Sequence, residues 1–139
     1  MHINKKKSGL IAVAALLALA LTVAISGCSI LEDGAKTAAV ENFMDQLNSS
    51  TRAGAQDYIH PDSDAYDQIN NSPEYWDSYF PADETFTLIA PLVSGDEVSG
   101  QMSSETTYSP AEEATFTMAD DGGSWKIMSL TIGDLNPIP

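Results

Sequence analysis

"ATFTMADDGGSWKIMSLTI", residues 114–132, is the stretch that decides the fold. Its first half alternates, with Ala114, Phe116 and Met118 on one face and Thr115 and Thr117 on the other, the two-residue period of a half-buried strand. "DDGG" at 120–123 then reads as a hairpin turn, because glycines accept the positive φ that two-residue hairpin loops demand. "SWKIMSLTI" returns as the partner strand. Its apolar residues do not keep a strict period of two, which predicts a bulge near Ile127–Met128.

Working upstream, "VSGQM" at 98–102 puts Val98 and Met102 together, and Gly100 between them marks a bulge or sharp bend. "SGDE" can turn, and "ETFTLIAPLV" at 84–93 alternates again, with Phe86, Leu88 and Ala90 expected on one face and Thr85 and Thr87 on the other. The count is about four antiparallel strands.

Further upstream the period changes to that of a helix. Val40, Phe43, Met44 and Leu47 recur at i, i+3, i+4 and i+7, giving one apolar stripe in a helix over about 33–49, with Glu41, Asp45 and Gln46 off it. "NSST" at 48–51 breaks it. A second short helix is expected over 51–59, with Ala55, Tyr58 and Ile59 turned inward and Pro61 ending it, and a short helical piece near 65–69. In "SPEYWDSYF", 72–80, Ser72 can cap, Pro73 suits the first helical position and Glu74 complements the dipole, so that Tyr75, Trp76, Tyr79 and Phe80 form an aromatic face. Helices followed by strands predict an α+β fold, with the helices packed on a curved sheet that wraps the first of them.

A long first helix, short helices ending near "YIHPDS", and hairpins finishing in "DGGSWKIMSL" resemble the nuclear transport factor 2-like, or cystatin-like, fold over roughly residues 35–134. The resemblance implies a cone-shaped domain able to enclose a pocket. It implies no particular activity, since the fold hosts enzymes, binding modules and dimer-forming domains.

The N-terminus reads as an address. Lys5, Lys6 and Lys7 precede 16 positions, Leu10 to Ile25, that are apolar except for Thr22. A membrane-crossing helix needs about 20 apolar residues, and small residues follow here, as in a cleaved secretory signal. Ile25-Ser26-Gly27-Cys28 resembles the bacterial lipobox. That resemblance implies cleavage between Gly27 and Cys28 and lipid on the Cys28 sulfur, with fatty acyl chains such as palmitate holding the protein on the extracytoplasmic side of the cell membrane. Each buried methylene contributes about 0.8 kcal/mol, and one acyl chain holds only marginally, so stable anchoring takes two or more. The expected organisation is a signal peptide at 1–27, lipidated Cys28 with a short extended tether to residue 34, and one domain over 35–139.

The 139-residue chain less its 27-residue leader leaves 112 residues, and losing the three signal lysines takes the formal charge from −14 to −17. Only Lys36, Arg52 and Lys126 then stand against 20 acids. A polyanion would be repelled, which argues against nucleic acid as a partner. The plain reading of the charge is a solvated surface; attraction of cations or of a basic protein is the sharper one.

Candidate sites are few. His60, with Asp62 and Tyr58 beside it, has the chemistry of an acid–base group, and the resemblance implies that enzymes of this fold use a His or Asp inside the cone. His60 also stands at an expected helix end, in a loop, where an exposed histidine is a common structural choice because its charge suits the dipole, and that is the favoured reading. Asp62, Asp64 and Asp67 supply oxygens for a hard cation, but the EF-hand pattern fails at Tyr66, Asp67 and Pro73, leaving a helix-ending loop as the default. Tyr75, Trp76 and Tyr79 could line a pocket for a flat ligand, although such a stripe is more often core; Trp125 reads as packing too. With one cysteine and no nucleophile elbow or phosphate loop, no cofactor is expected. The reading is therefore a membrane-anchored lipoprotein acting as a non-enzymatic module for a small ligand or an envelope protein. The alternatives are a small isomerase or dehydratase using His60 and Asp62, and a structural module forming homodimers through the sheet. A buried pocket with His60 pointing inward would favour the enzyme, and a filled cone with His60 outside would favour interaction or structure.

Overall fold

The structure, a computed structural model, describes residues 30–72 and 74–139. The signal segment, Gly27, Cys28 and Pro73 lie outside the described residues. Residues 35–139 form one compact unit.

Helix α1 occupies 30–47, so helical geometry begins earlier than expected and residues 30–34, read as extended tether, are helical and exposed. The anticipated stripe is the buried one: Val40, Phe43, Met44 and Leu47 are each no more than 6% exposed.

The two following segments are less helical than their periodicity suggests. The 51–59 stretch forms a single 3-10 turn, Ala55–Tyr58, preceded by Arg52 in the left-handed region at φ 53°. Ala55 and Ile59 are buried as expected. α2, Tyr66–Asn71, matches the short helical piece near 65–69 closely. Ser72 terminates α2 rather than capping a new helix; Tyr75–Ser78 is another 3-10 turn, opened by Glu74 without a side-chain cap. Aromatic packing, not capping, holds these residues where they are.

Five strands follow: β1 Thr87–Ser94, β2 Glu97–Ser103, β3 Glu112–Asp121, β4 Ser124–Ile132 and β5 Leu135–Ile138. They form one sheet in sequence order, each antiparallel to its neighbour. The fold is α+β, with one strand more than expected. "LNPI" hides its extended character behind Asn136 and Pro137, and proline is tolerated in a strand only where its missing N–H faces no partner, as at an edge.

The β3–β4 hairpin forms as read. Asp121 pairs with Ser124 across Gly122 and Gly123, at φ 62° and 96°, and the Gly123 N–H donates to Asp120 Oδ1 at 3.0 Å. The register slips between Thr117 and Met118, leaving Met128 as the extra residue of a bulge in β4. That slip turns Ile127 as well as Leu130 and Ile132 into the core.

The expected alternation in β1 fails after Leu88. A bulge between Ile89 and Leu92 puts Ala90 at φ 50° and leaves it exposed. The irregularity foreseen at Gly100 therefore sits in the partner strand. A Cβ at Gly100 would lie 2.8 Å from the Ile89 carbonyl oxygen, so glycine is what allows the two backbones to approach.

Between α1 and the sheet the space is filled by rings. Phe43 meets Trp76 at 5.5 Å and Phe116 at 6.1 Å, Trp76 meets Phe80 at 6.1 Å, and Phe80 meets Phe86 at 5.1 Å. Tyr108 completes the cluster 6.0 Å from Phe86 and donates its hydroxyl to the Tyr79 carbonyl. Its burial pushes the phenol up to about 12.

Candidate functional site

α1 runs antiparallel to β1 and is tied to this side of the sheet near both of its ends. At one end, Lys36 Nζ donates to the Gly95 carbonyl at 2.7 Å. At the other, the Asn48 side chain grips the Phe86 backbone twice: Nδ2 donates to the Phe86 carbonyl and Oδ1 accepts the Phe86 N–H, both at 2.8 Å. Between these ties lies an open groove of about 290 Å³. Val40 and Met44 of α1 and Phe86, Leu88 and Pro91 of the strand side give it an apolar floor, while Glu41 and Asp45 stand exposed on the helix rim.

The electrostatics of the domain are one-sided. Among the described residues Lys36, Arg52 and Lys126 are the only lysines and arginines, and all three are engaged internally. Lys36 Nζ is 3.3 Å from Asp96 and sits 4.3 Å from the Trp125 ring centroid, a cation–π contact. Arg52 reaches Asp77 at 3.3 Å, and Lys126 reaches Asp121 at 2.8 Å. The hydrogen bond from Lys126 holds the Asp121 carboxyl below the usual range. Glu41, Asp45, Asp62, Asp64 and Asp67 are among the acids that stand exposed to solvent.

The residues singled out for chemistry are dispersed. His60 is not the exposed loop histidine expected: it is 8% exposed, and the backbone engages both of its ring nitrogens. Nδ1 accepts the Asp62 N–H at 3.0 Å, which fixes the proton on Nε2, and Nε2 lies 3.2 Å from the Asp120 carbonyl, to which it donates. Lacking a proton, Nδ1 gives the Asp62 carboxylate 4.0 Å away nothing to pair with. The ring thus ties the 60–62 turn to the end of β3, a structural duty. The chain is fastened here again by the His60 N–H donating to the Ile127 carbonyl at 2.8 Å.

Tyr58 is separate from this arrangement. It lines a second open groove of about 390 Å³, with Ala35, Ala38 and Asn42 of α1 opposite and Trp125 beside it. His60 is not part of that lining, and the Lys36 ammonium already occupies a face of Trp125. Asp62, Asp64 and Asp67 are all exposed, and among the described residues no group of three His, Cys, Asp or Glu could hold a metal ion. Trp76 is 3% exposed within the ring cluster, Tyr75 donates its hydroxyl to the Pro137 carbonyl at 2.8 Å, and Tyr79 packs 6.0 Å from Tyr75. These three serve the core and the β5 edge. Burial raises the Tyr75 phenol above its ordinary value.

The groove residues were missed by sequence reading. Glu41 and Asp45 register there only as the solvent side of α1, and Asn48 only as a helix breaker. Nothing local reveals that the helix lies along an edge strand.

Compared with known proteins, the chain matches no family, no curated protein and no solved structure. No helix among the described residues is long and apolar enough to cross a membrane.

Proposed function

We propose that the protein is a lipoprotein, anchored through acyl chains on Cys28 to the extracytoplasmic side of the membrane, whose domain is a non-enzymatic binding or interaction module of cystatin-like type. The anchor rests on the order Ile25-Ser26-Gly27-Cys28 after a basic, apolar leader. The single observation that carries the second half is the filled concave side. Rings occupy the space where a cone enzyme would keep its substrate, and His60 has both nitrogens committed to backbone. Two open grooves lie along the flanks of α1, where a partner approaches from outside.

Intact-mass measurement on protein extracted from native membranes tests the anchor. The expected product lacks residues 1–27 and carries a diacylglyceryl or triacylated Cys28; a soluble chain with its leader retained and Cys28 unmodified refutes it. The non-enzymatic reading is tested by His60→Gln: binding of a ligand found for the domain is expected to be unchanged, whereas a turnover shown by the wild type and lost in the variant refutes it.

A further inference from the structure

We propose that the groove between α1 and β1 takes an extended, basic segment of another polypeptide, which adds to the free edge of β1 as a further strand; this rests on the interaction-module reading. β1 has a sheet neighbour, β2, on one side only. On its other side Phe86 already shows what the edge accepts, since the Asn48 carboxamide binds its N–H and C=O as the peptide group of a neighbouring strand would. Backbone polar groups of an extended chain point alternately to the two sides. The Ile89 carbonyl faces β2, packed against Gly100, so the Leu88 N–H and C=O face the groove like those of Phe86. Leu88 is thus the next hydrogen-bonding position, with the apolar floor beside it to receive a side chain. Main-chain bonds to an edge with pockets for alternate side chains are the physics of strand addition.

The rim specifies the charge of the guest. Glu41 and Asp45 are four residues apart on α1, about 6 Å along the axis. Alternate residues of an extended chain are about 6.6 Å apart, so two basic residues in an i, i+2 pattern meet both carboxylates. No unpaired lysine or arginine among the described residues opposes such a guest. A second copy of this chain is a poor occupant, because it would bring its own acidic surface against Glu41 and Asp45.

The test uses the mature lipidated chain in detergent micelles and a fluorescein-labelled octapeptide of alternating valine and lysine, read by anisotropy. Saturable binding is expected that weakens as salt rises from 20 to 200 mM (~10-fold range). Replacing both rim acids, Glu41→Gln with Asp45→Asn, should weaken binding by about tenfold and flatten its salt dependence. N-methylation of alternate peptide amides should abolish binding, which a purely electrostatic contact would survive. Equal binding by the double variant or by the N-methylated peptide overturns the proposal. So does an inert basic peptide beside saturable binding of an acidic peptide or small ligand, which leaves the interaction-module reading standing. A concentration-dependent dimer blocked by the double variant would show that a second copy is the occupant, and likewise overturns it.

Discussion

β5, at one edge of the sheet, is four residues long, contains Pro137 and gives that residue's carbonyl to Tyr75. β1, at the other edge, is eight residues long, and a side chain covers it only at its entrance, where Asn48 holds Phe86. Proteins blunt edge strands with short length, proline, bulges and covering elements. The β5 edge combines all four of these devices, with its bulge at Asn136–Pro137 opposite Thr131. The β1 edge has Pro91 and a bulge beyond Ile89, but the Thr87–Ile89 segment before the bulge is regular and borders a groove. One edge is closed by aromatic packing, and the other is kept available while bulge and acidic charge discourage indiscriminate pairing.

Four substitutions sharpen or break this contrast. The largest effect is expected for Phe86→Ala, which removes a buried ring at the junction of core and groove and should cost about 3–5 kcal/mol in urea unfolding. If it costs under about 1 kcal/mol, the β1 edge is not rooted in the ring cluster. Asn48→Ala leaves the Phe86 N–H and C=O without their partner and should lose about 2 kcal/mol, with faster amide exchange at Phe86 by NMR. Tyr75→Phe removes only the hydroxyl bond to Pro137 and should lose about 1 kcal/mol, with faster exchange confined to the β5 edge. A larger loss for Tyr75→Phe than for Asn48→Ala would reverse the comparison of the edges.

The smallest effect is expected for Glu84→Gln. The Glu84 carboxylate accepts from the N–H and hydroxyl of both Thr106 and Thr107, bracing the approach to β1 against the β2–β3 loop. Side-chain bonds from Ser104 and Thr106, joined by the Thr107 N–H, hold its carboxyl well below the ordinary value of 4.5. A depressed carboxylate contributes stability above its unfolded value and loses that contribution as pH falls toward its folded value. The stability gap between wild type and Glu84→Gln should therefore be full at neutral pH and narrow below about 4.5. A gap that does not change with pH would show that the ionised form is not what braces the loop.

The parts of the fold legible in the sequence are those with local causes. The β3–β4 hairpin and its bulge could be read because Gly122-Gly123 allows only a few turns and because a shift in apolar parity demands an extra residue. The buried stripe of α1 was legible for the same reason. β5 was not, because proline and asparagine disguise an edge strand whose pairing is decided by the Gly133 turn. The helices expected at 51–59 and 72–80 shrink to single 3-10 turns, since Arg52 leaves the helical region and Trp76 and Phe80 are placed by contact with distant rings. His60 stood out by composition, but its duty depends on Asp120, sixty residues away. The groove needs α1 laid along β1, a relation that no short window contains.

The engagement of every described cation also bears on how the folded domain meets proteases and reagents. Cleavage after lysine or arginine requires a side chain that can enter a specificity pocket, and the side chains of Lys36, Arg52 and Lys126 are 5%, 8% and 26% exposed and tied to acids. The residues between Cys28 and Lys36 contain neither type. Trypsin will consequently leave the native domain intact and, on the proposed lipidation of Cys28, will not shave it from that anchor, whereas a glutamate-directed protease finds Glu32 exposed. Amine-reactive labels will likewise mark the native domain sparsely, so carboxyl chemistry is the practical handle for following it.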